Sequence, residues 1–255
     1  KDTLKVLAHQ VIGQLELRLQ HRRLQRIGRQ REQLLALIAH DLRGPFGSIL
    51  GHSKRLRDRA SSDSPERIAS MADAILGSSQ RVFQLLDELL QWSQLQLGRA
   101  KGPSEESQLR ELIQNNVELL QDALELKNIR LTVTVNSDQR VFTDATLYGA
   151  VIRNVLANAI KFTPDNGRID IKASVENNQV LVAIFDTGVG ISKDRAEALF
   201  NLPVDSEQGT AGEQGSGLGL NLCKEFIELQ GGKIWLDEHY NEGTKIVFSL
   251  PESAA

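Results

Sequence analysis

Apolar residues recur at helical spacing through the first hundred positions. Leu4, Leu7 and Val11 begin a seam, and Leu17, Leu24, Ile27, Leu34, Ile38 and Leu42 continue it after a change of phase between Val11 and Leu17. Sustained seven-residue spacing implies a coiled coil, and a phase change is the sequence mark of local over- or underwinding. Residues 1–59 therefore read as one long helix. A polar turn follows at residues 60–66, where Ser64 before Pro65 is a helix-capping signature. A second helix then runs to about Leu97, with Ile68, Met71, Ile75, Val82, Leu86, Leu89 and Trp92 as its seam. That seam suits antiparallel packing on the first helix. Two helices alone bury too little surface to be stable, so a homodimer forming a four-helix bundle is expected.

After a glycine- and proline-bearing stretch from Gly98 to Glu106, the pattern changes at Gln108. Leu109–Leu126 reads as a helix and Ile129–Val135 alternates as a strand. Asp144–Lys161 reads as a helix stopped by Thr163-Pro164-Asp165-Asn166-Gly167. Ile169–Val175 and Val180–Phe185 form a hairpin across Asn177-Asn178. A helix over Leu218–Leu229, closed by Gly231-Gly232, precedes strands at Ile234–Asp237 and Thr244–Leu250. Strands pairing locally, with helices in a separate layer, predict an α+β sandwich.

The chain has 255 residues, 40% hydrophobic and 25% charged, which is room for one large or two modest soluble domains. A net charge of -3 gives no global pointer to nucleic acid or membrane. Six arginines between Arg18 and Arg31 read as outer positions of the coiled coil rather than as a nucleic-acid arm. The single Cys223 excludes internal disulfides and fits a reducing compartment, so a cytoplasmic location is expected. No apolar run approaches the roughly 18–20 residues that span a bilayer. The chain opens on Lys1 and reads as a piece of something longer, whose upstream part could hold a sensor or membrane anchor.

Four stretches carry candidate chemistry. In His40-Asp41-Leu42-Arg43-Gly44-Pro45-Phe46-Gly47, helical spacing puts His40, Gly44, Gly47 and Gly51 on one face. Pro45 should bend or end the helix, since it removes the bond to the Asp41 carbonyl. A face stripped of side chains beside a histidine and an acid suits close approach by another protein. His9, His21, His52 and His239 read as structural. Asn154, Asn158 and Lys161 stack on one helix face, and such a row suits magnesium and the anionic oxygens it bridges. It equally suits an ordinary amphipathic helix with Asn at its wet edge. Asp186-Thr187-Gly188-Val189-Gly190 follows a buried strand, where a carboxylate can accept an adenine amine and glycines let backbone approach the ring; a plain turn has the same pattern. Gly215-Ser216-Gly217-Leu218-Gly219 leads into a helix and suits phosphate, though it is neither a dinucleotide fingerprint nor a P-loop. Between these two lies polar Asn201–Gln214, which reads as a mobile lid.

In this order the motifs resemble the catalytic portion of a sensor histidine kinase of two-component systems. His40–Pro45 resembles the family's H-box, Asn154–Thr163 its N-box, and Asp186–Ile191 and Gly215–Leu220 its two glycine boxes. Gly231-Gly232-Lys233-Ile234 with Gly243-Thr244 resembles its closing segment. The resemblance divides the chain into a signalling helix at 1–30, a dimerisation and histidine phosphotransfer domain at 31–100, a linker at 101–107 and a Bergerat-type catalytic ATP-binding domain at 108–255. It implies that ATP donates its γ-phosphoryl group to His40, with Asp41 orienting and deprotonating the ring. It assigns magnesium to Asn158 and Asn154, phosphate oxygens to Lys161, and adenine to Asp186. Gly188, Gly190 and Thr244 join the nucleotide site, and Gly215, Gly217, Leu218 and Gly219 close the lid. The implied partner is a response-regulator receiver domain. Two positions depart from the family pattern. Gly44 replaces the Thr or Asn linked to dephosphorylating the partner, and Asn201-Leu202-Pro203 replaces a second aromatic after Phe200. Three other readings stay open: a Bergerat ATPase of chaperone or topoisomerase kind, a serine kinase of anti-sigma type, and a non-catalytic dimeric scaffold.

Overall fold

The computed structural model describes residue 18 and residues 39–59, 62–96, 104–196, 199–200, 209–211 and 219–252. Most of the expected coiled coil, much of the expected lid, and Gly215, Gly217 and Leu218 lie outside the described residues. Two compact units divide the chain, Lys1–Leu85 and Leu86–Ala255.

The first unit is a helical hairpin of α1 (39–59) and the part of α2 (Pro65–Gln96) that runs to Leu85. Of the helix expected over 1–59, the described part α1 runs through Pro45 to residue 59, so the proline does not end it. Pro45 is buried, and Ser78 Oγ donates to Ser48 Oγ at 3.0 Å between the helices, contacts that offset the lost backbone bond. The turn closes with Ser62 and Asp63 N–H on the Arg59 carbonyl at 2.9 and 3.0 Å. Ser64 caps α2 as its position predicts, its Oγ accepting from Arg67 N–H at 3.4 Å. The seam of α2 needs one correction: Met71, Val82 and Leu85 are buried, whereas Leu86 is exposed. The step from Val82 is three residues rather than four, and both spacings lie on one helix face, so periodicity alone does not separate them.

In the second unit, a five-stranded sheet has the order β2-β4-β5-β7-β6. Its strands are β2 (Arg130–Thr134), β4 (Arg168–Glu176), β5 (Gln179–Asp186), β6 (Lys233–Leu236) and β7 (Lys245–Pro251). The hairpin across Asn177-Asn178 is present, with φ of 51° and 60° at the two asparagines, the mirror-image turn that matches strand twist. Not all pairing is local. β2 and β4 run parallel, because β3 (Arg140–Thr143) and α5 (Ala145–Phe162) intervene between them. Ile171, Ile184 and Ile246 line up across three strands, and Val182 pairs with Phe248 across two. α5 packs on β5 and beside α7 (Gly219–Leu229), while α3 (Leu109–Glu118) packs on α5. Tyr148 of α5 meets Phe248 edge to face, with ring centroids 6.0 Å apart.

The expected helix over Leu109–Leu126 is two, α3 and α4 (Gln121–Leu126), separated at Leu119 and Leu120. Apolar spacing does not distinguish one helix from two nearly in line. A further two-stranded antiparallel sheet pairs β1 (Glu105–Gln108) with β3, and β1 begins inside the expected linker. The remaining element, α6 (Lys193–Ala196), is one turn long. Among the described residues no helix is long and apolar enough to cross a membrane.

Candidate functional site

α5 is fixed at both ends by its own sequence. Asp144 caps its N-terminus, Oδ1 accepting from Thr146 N–H at 2.9 Å and Leu147 N–H at 3.2 Å. A cap of this kind contributes about 1 kcal/mol. Thr163 closes the other end, its backbone N–H and its hydroxyl both reaching the Ala159 carbonyl, at 3.0 and 2.6 Å. Pro164 follows and holds Thr163 in the extended region, so the helix stops. Between these ends, Val151, Ile152, Val155, Leu156 and Ala159 are buried, which leaves Asn154, Asn158 and Lys161 on the half-exposed edge as the sequence predicts.

Asn154 donates through Nδ2 to the Ala150 carbonyl at 3.1 Å, and its Oδ1 faces the start of α7. A Cβ at Gly219 would lie 2.7 Å from that oxygen, so a side chain there would push the Asn154 amide aside. The side chain of Asn158, one turn further on, makes no hydrogen bond with the described residues. Lys161 Nζ lies 4.6 Å from the centre of the Phe162 ring.

Asp186 ends β5 and is 5% exposed. Its Oδ1 accepts from Gly188 N–H at 2.8 Å and Thr244 N–H at 3.0 Å, while its own N–H donates to the Thr244 carbonyl at 2.9 Å. The expected site residues Asp186, Gly188 and Thr244 are thus directly bonded. A Cβ at Gly243 would come within 2.2 Å of the Asp186 carbonyl, and one at Gly188 within 2.4 Å of the Phe162 carbonyl, so neither position accepts a side chain. Gly190 follows at φ 73°. Burial raises the pKa of the Asp186 carboxyl above the ordinary aspartate range, and the hydrogen bonds from Thr244 and Gly188 oppose this without cancelling it.

In the first unit, His40 is 80% exposed and its Nδ1 lies 3.1 Å from Oδ1 of Asp41, itself 28% exposed. Gly44, Gly47 and Gly51 are exposed on the same helix, and a Cβ at any of them would meet nothing within 4 Å. Sequence reasoning missed Lys127. This residue is buried, yet its ammonium reaches the Ile160 and Lys161 carbonyls and Thr210 Oγ1. Nothing in a Leu-Lys-Asn stretch between helix and strand marks it. Among the described residues, no cluster of three His, Cys, Asp or Glu side chains could hold a metal.

The raised pKa of Asp186 gives a prediction with a definite sign. Below its unfolded-state value both states hold the proton, and the ionisation carries no cost to folding. Stability is lost as pH rises from that value through the raised folded one. Asp186→Asn, which keeps an oxygen for Gly188 and Thr244, should therefore melt at or above the wild-type temperature at neutral pH. That advantage should shrink to nothing in acid, as thermal melts across pH would measure.

Residues 143–254 match the family described as histidine kinase-, DNA gyrase B- and HSP90-like ATPase, and residues 30–98 match the His Kinase A (phospho-acceptor) domain. The adaptive-response sensory kinase SasA of Synechocystis sp. is 31% identical over 229 residues, 87% of this chain and 59% of that protein. The histidine protein kinase DivJ of Caulobacter vibrioides is 29% identical over 225 residues, 87% of this chain and 37% of that one. The chain thus spans under two thirds of the length of these curated relatives. Among solved structures, the catalytic domain of histidine kinase ThkA in a nucleotide-free form superposes with a TM-score of 0.53 at 31% identity, over 58% of this chain and 95% of that one. ThkA in complex with the response regulator TrrA superposes with a TM-score of 0.69 at 27% identity, over 88% of this chain and 64% of that one. A helical phosphoacceptor region followed by an α/β sandwich of the ATPase type is the architecture of those proteins, and this chain belongs to the histidine kinase family.

Proposed function

We propose that the chain is an ATP-dependent histidine autokinase that phosphorylates His40 and passes the phosphoryl group to an aspartate on a response-regulator receiver domain. The observation that carries this reading is the His40–Asp41 pair at 3.1 Å on an exposed, glycine-stripped helix face. With Nδ1–H donating a hydrogen bond to Asp41, Nε2 keeps its lone pair and is the ring's nucleophile. Nε2 attacks the γ-phosphorus, an N–P bond forms, the bond from phosphorus to the β,γ-bridging oxygen breaks, and ADP leaves. The imidazolium so formed returns to neutrality by giving its Nδ1 proton to Asp41.

In the proposed site, Oδ1 of Asp186 is held by two backbone N–H groups, and Oδ2 accepts the exocyclic amine of adenine. Gly188, Gly190 and Thr244 border the base. Asn158, whose amide has no partner among the described residues, and Asn154 would hold magnesium, with Asn158 the direct ligand. Bound magnesium would neutralise charge on the β- and γ-oxygens, and Lys161 would add a cation beside them. Gly215, Gly217, Leu218 and Gly219 would contact the phosphates. As in other phosphoryl transfers, positioning and charge neutralisation supply most of the rate.

We assign 31–100 to dimerisation and phosphotransfer, 101–107 to the linker, and 108–255 to the catalytic domain, with 1–30 as the incoming signalling helix. Exposed Phe46, Leu50, Leu76 and Phe83 on α1 and α2 support a homodimer, because a second copy would cover them. The ThkA–TrrA complex supports a receiver domain as the downstream partner.

The test is incubation with radiolabelled ATP and magnesium for wild type and His40→Ala. Label that is acid-labile and base-stable in the wild type and lost in the variant is the expected result; acid-stable label, or label retained without His40, would sink the reading. A second prediction concerns Gly44, which offers no side chain to orient water on a phosphorylated partner. The wild type should dephosphorylate a phospho-receiver slowly. Gly44→Asn, whose side chain has open space around Cβ, should speed that loss, as phosphate release without nucleotide would record.

A further inference from the structure

Lys127 follows α4, and its backbone is held in place. The Lys127 carbonyl accepts from Asn166 N–H at 2.9 Å, Asn128 Nδ2 donates to Asn166 Oδ1 at 2.6 Å, and Arg130 N–H donates to the Gly167 carbonyl at 3.0 Å. From this fixed base the side chain runs inward, only 6% exposed. A buried ammonium is costly unless its hydrogens are matched. Among the described residues, the ammonium lies 3.0 Å or closer to three acceptors: the carbonyls of Ile160 and Lys161 at 3.0 Å each, and Thr210 Oγ1 at 2.8 Å. The Thr163 carbonyl lies slightly further away, at 3.4 Å.

Two of those acceptors belong to the last turn of α5, whose carbonyls have no partner within the helix and whose dipole favours a cation. The third belongs to a residue 83 positions away in sequence. Thr210 docks on the same helix end through its own groups as well. Its N–H donates to the Lys161 carbonyl at 3.0 Å, and its hydroxyl lies 3.1 Å from that oxygen and 3.0 Å from the Thr163 carbonyl. A residue that only stabilised the helix end would not need Thr210. One that used Thr210 fixes the turn carrying Lys161 and Asn158 to a second segment of the chain.

We propose that Lys127 is a positioning residue for nucleotide binding, acting through Thr210 to hold the last turn of α5 and its Lys161 in place. The inference rests on the nucleotide site proposed above and adds a residue to it that touches no nucleotide itself. Lys127 and Thr210 act as one unit, so their effects should not add.

The experiment measures the dissociation constant of a fluorescent ATP analogue with magnesium, beside thermal melts, for wild type, Lys127→Met, Thr210→Val, Thr210→Ser and the double variant Lys127→Met/Thr210→Val. Thr210→Val should melt earlier than the wild type, because one hydrogen of the buried ammonium loses its acceptor, and at a temperature where it is fully folded it should bind about threefold to tenfold more weakly. Thr210→Ser, which keeps the hydroxyl, should bind as the wild type does, and the double variant should bind no more weakly than Lys127→Met alone. Should Lys127→Met fail to fold, Thr210→Val against Thr210→Ser decides the matter. Wild-type affinity in Thr210→Val, or losses that multiply in the double variant, would overturn the proposal. Absence of binding by the wild type would overturn the nucleotide reading itself, and this inference with it.

Discussion

The last turn of α5 leaves carbonyl oxygens that no residue of the helix can satisfy, and the second unit is arranged around that debt. The Ala159 carbonyl is met by Thr163, that of Ile160 by Lys127, and that of Lys161 by Lys127 and Thr210. The Phe162 carbonyl accepts from Val189 N–H at 3.3 Å, which brings the glycine loop after β5 onto the same end. Three stretches far from α5 in sequence, at Lys127, Val189 and Thr210, thus converge where the helix stops. Lys161 and Asn158, proposed to meet phosphate and magnesium, sit on this turn or one turn before it.

The opposite wall of the proposed site is Asp186, and here stability and function pull apart. Burial makes its ionised form unfavourable, yet the ionised carboxylate is the stronger acceptor for an amine donor. The chain tolerates the carboxylate by giving Oδ1 two backbone N–H groups, and it does so only because Gly188 and Gly243 bring no Cβ into the space. A binding group that is a cost to the unliganded fold is common where activity sets the residue type. Fold and site therefore share the same glycines.

Much of this was legible in the sequence. Amphipathic spacing located α2, α5 and α7, and Asn177-Asn178 announced a hairpin whose turn takes the left-handed conformation that asparagine tolerates. Asp186, Gly188 and Thr244 were expected together and are bonded together. Polar β1 escaped because Glu105–Gln108 has no apolar alternation, and β3 because four residues are too few for a period. The parallel pairing of β2 with β4 escaped because register across an intervening helix leaves no local mark. Lys127 escaped for a different reason. Its partners are carbonyls, which every residue carries, so no residue type elsewhere in the chain betrays the contact.

That convergence on the end of α5 is open to direct measurement by amide hydrogen exchange with and without ATP and magnesium. If this turn is where nucleotide binding is organised, the amides of Gly188, Val189, Thr210 and Thr244 should all slow on nucleotide addition, because each is bonded to the α5 end or to Asp186. Protection confined to other parts of the chain, or slowing at Gly188 and Thr244 with none at Val189 and Thr210, would contradict it.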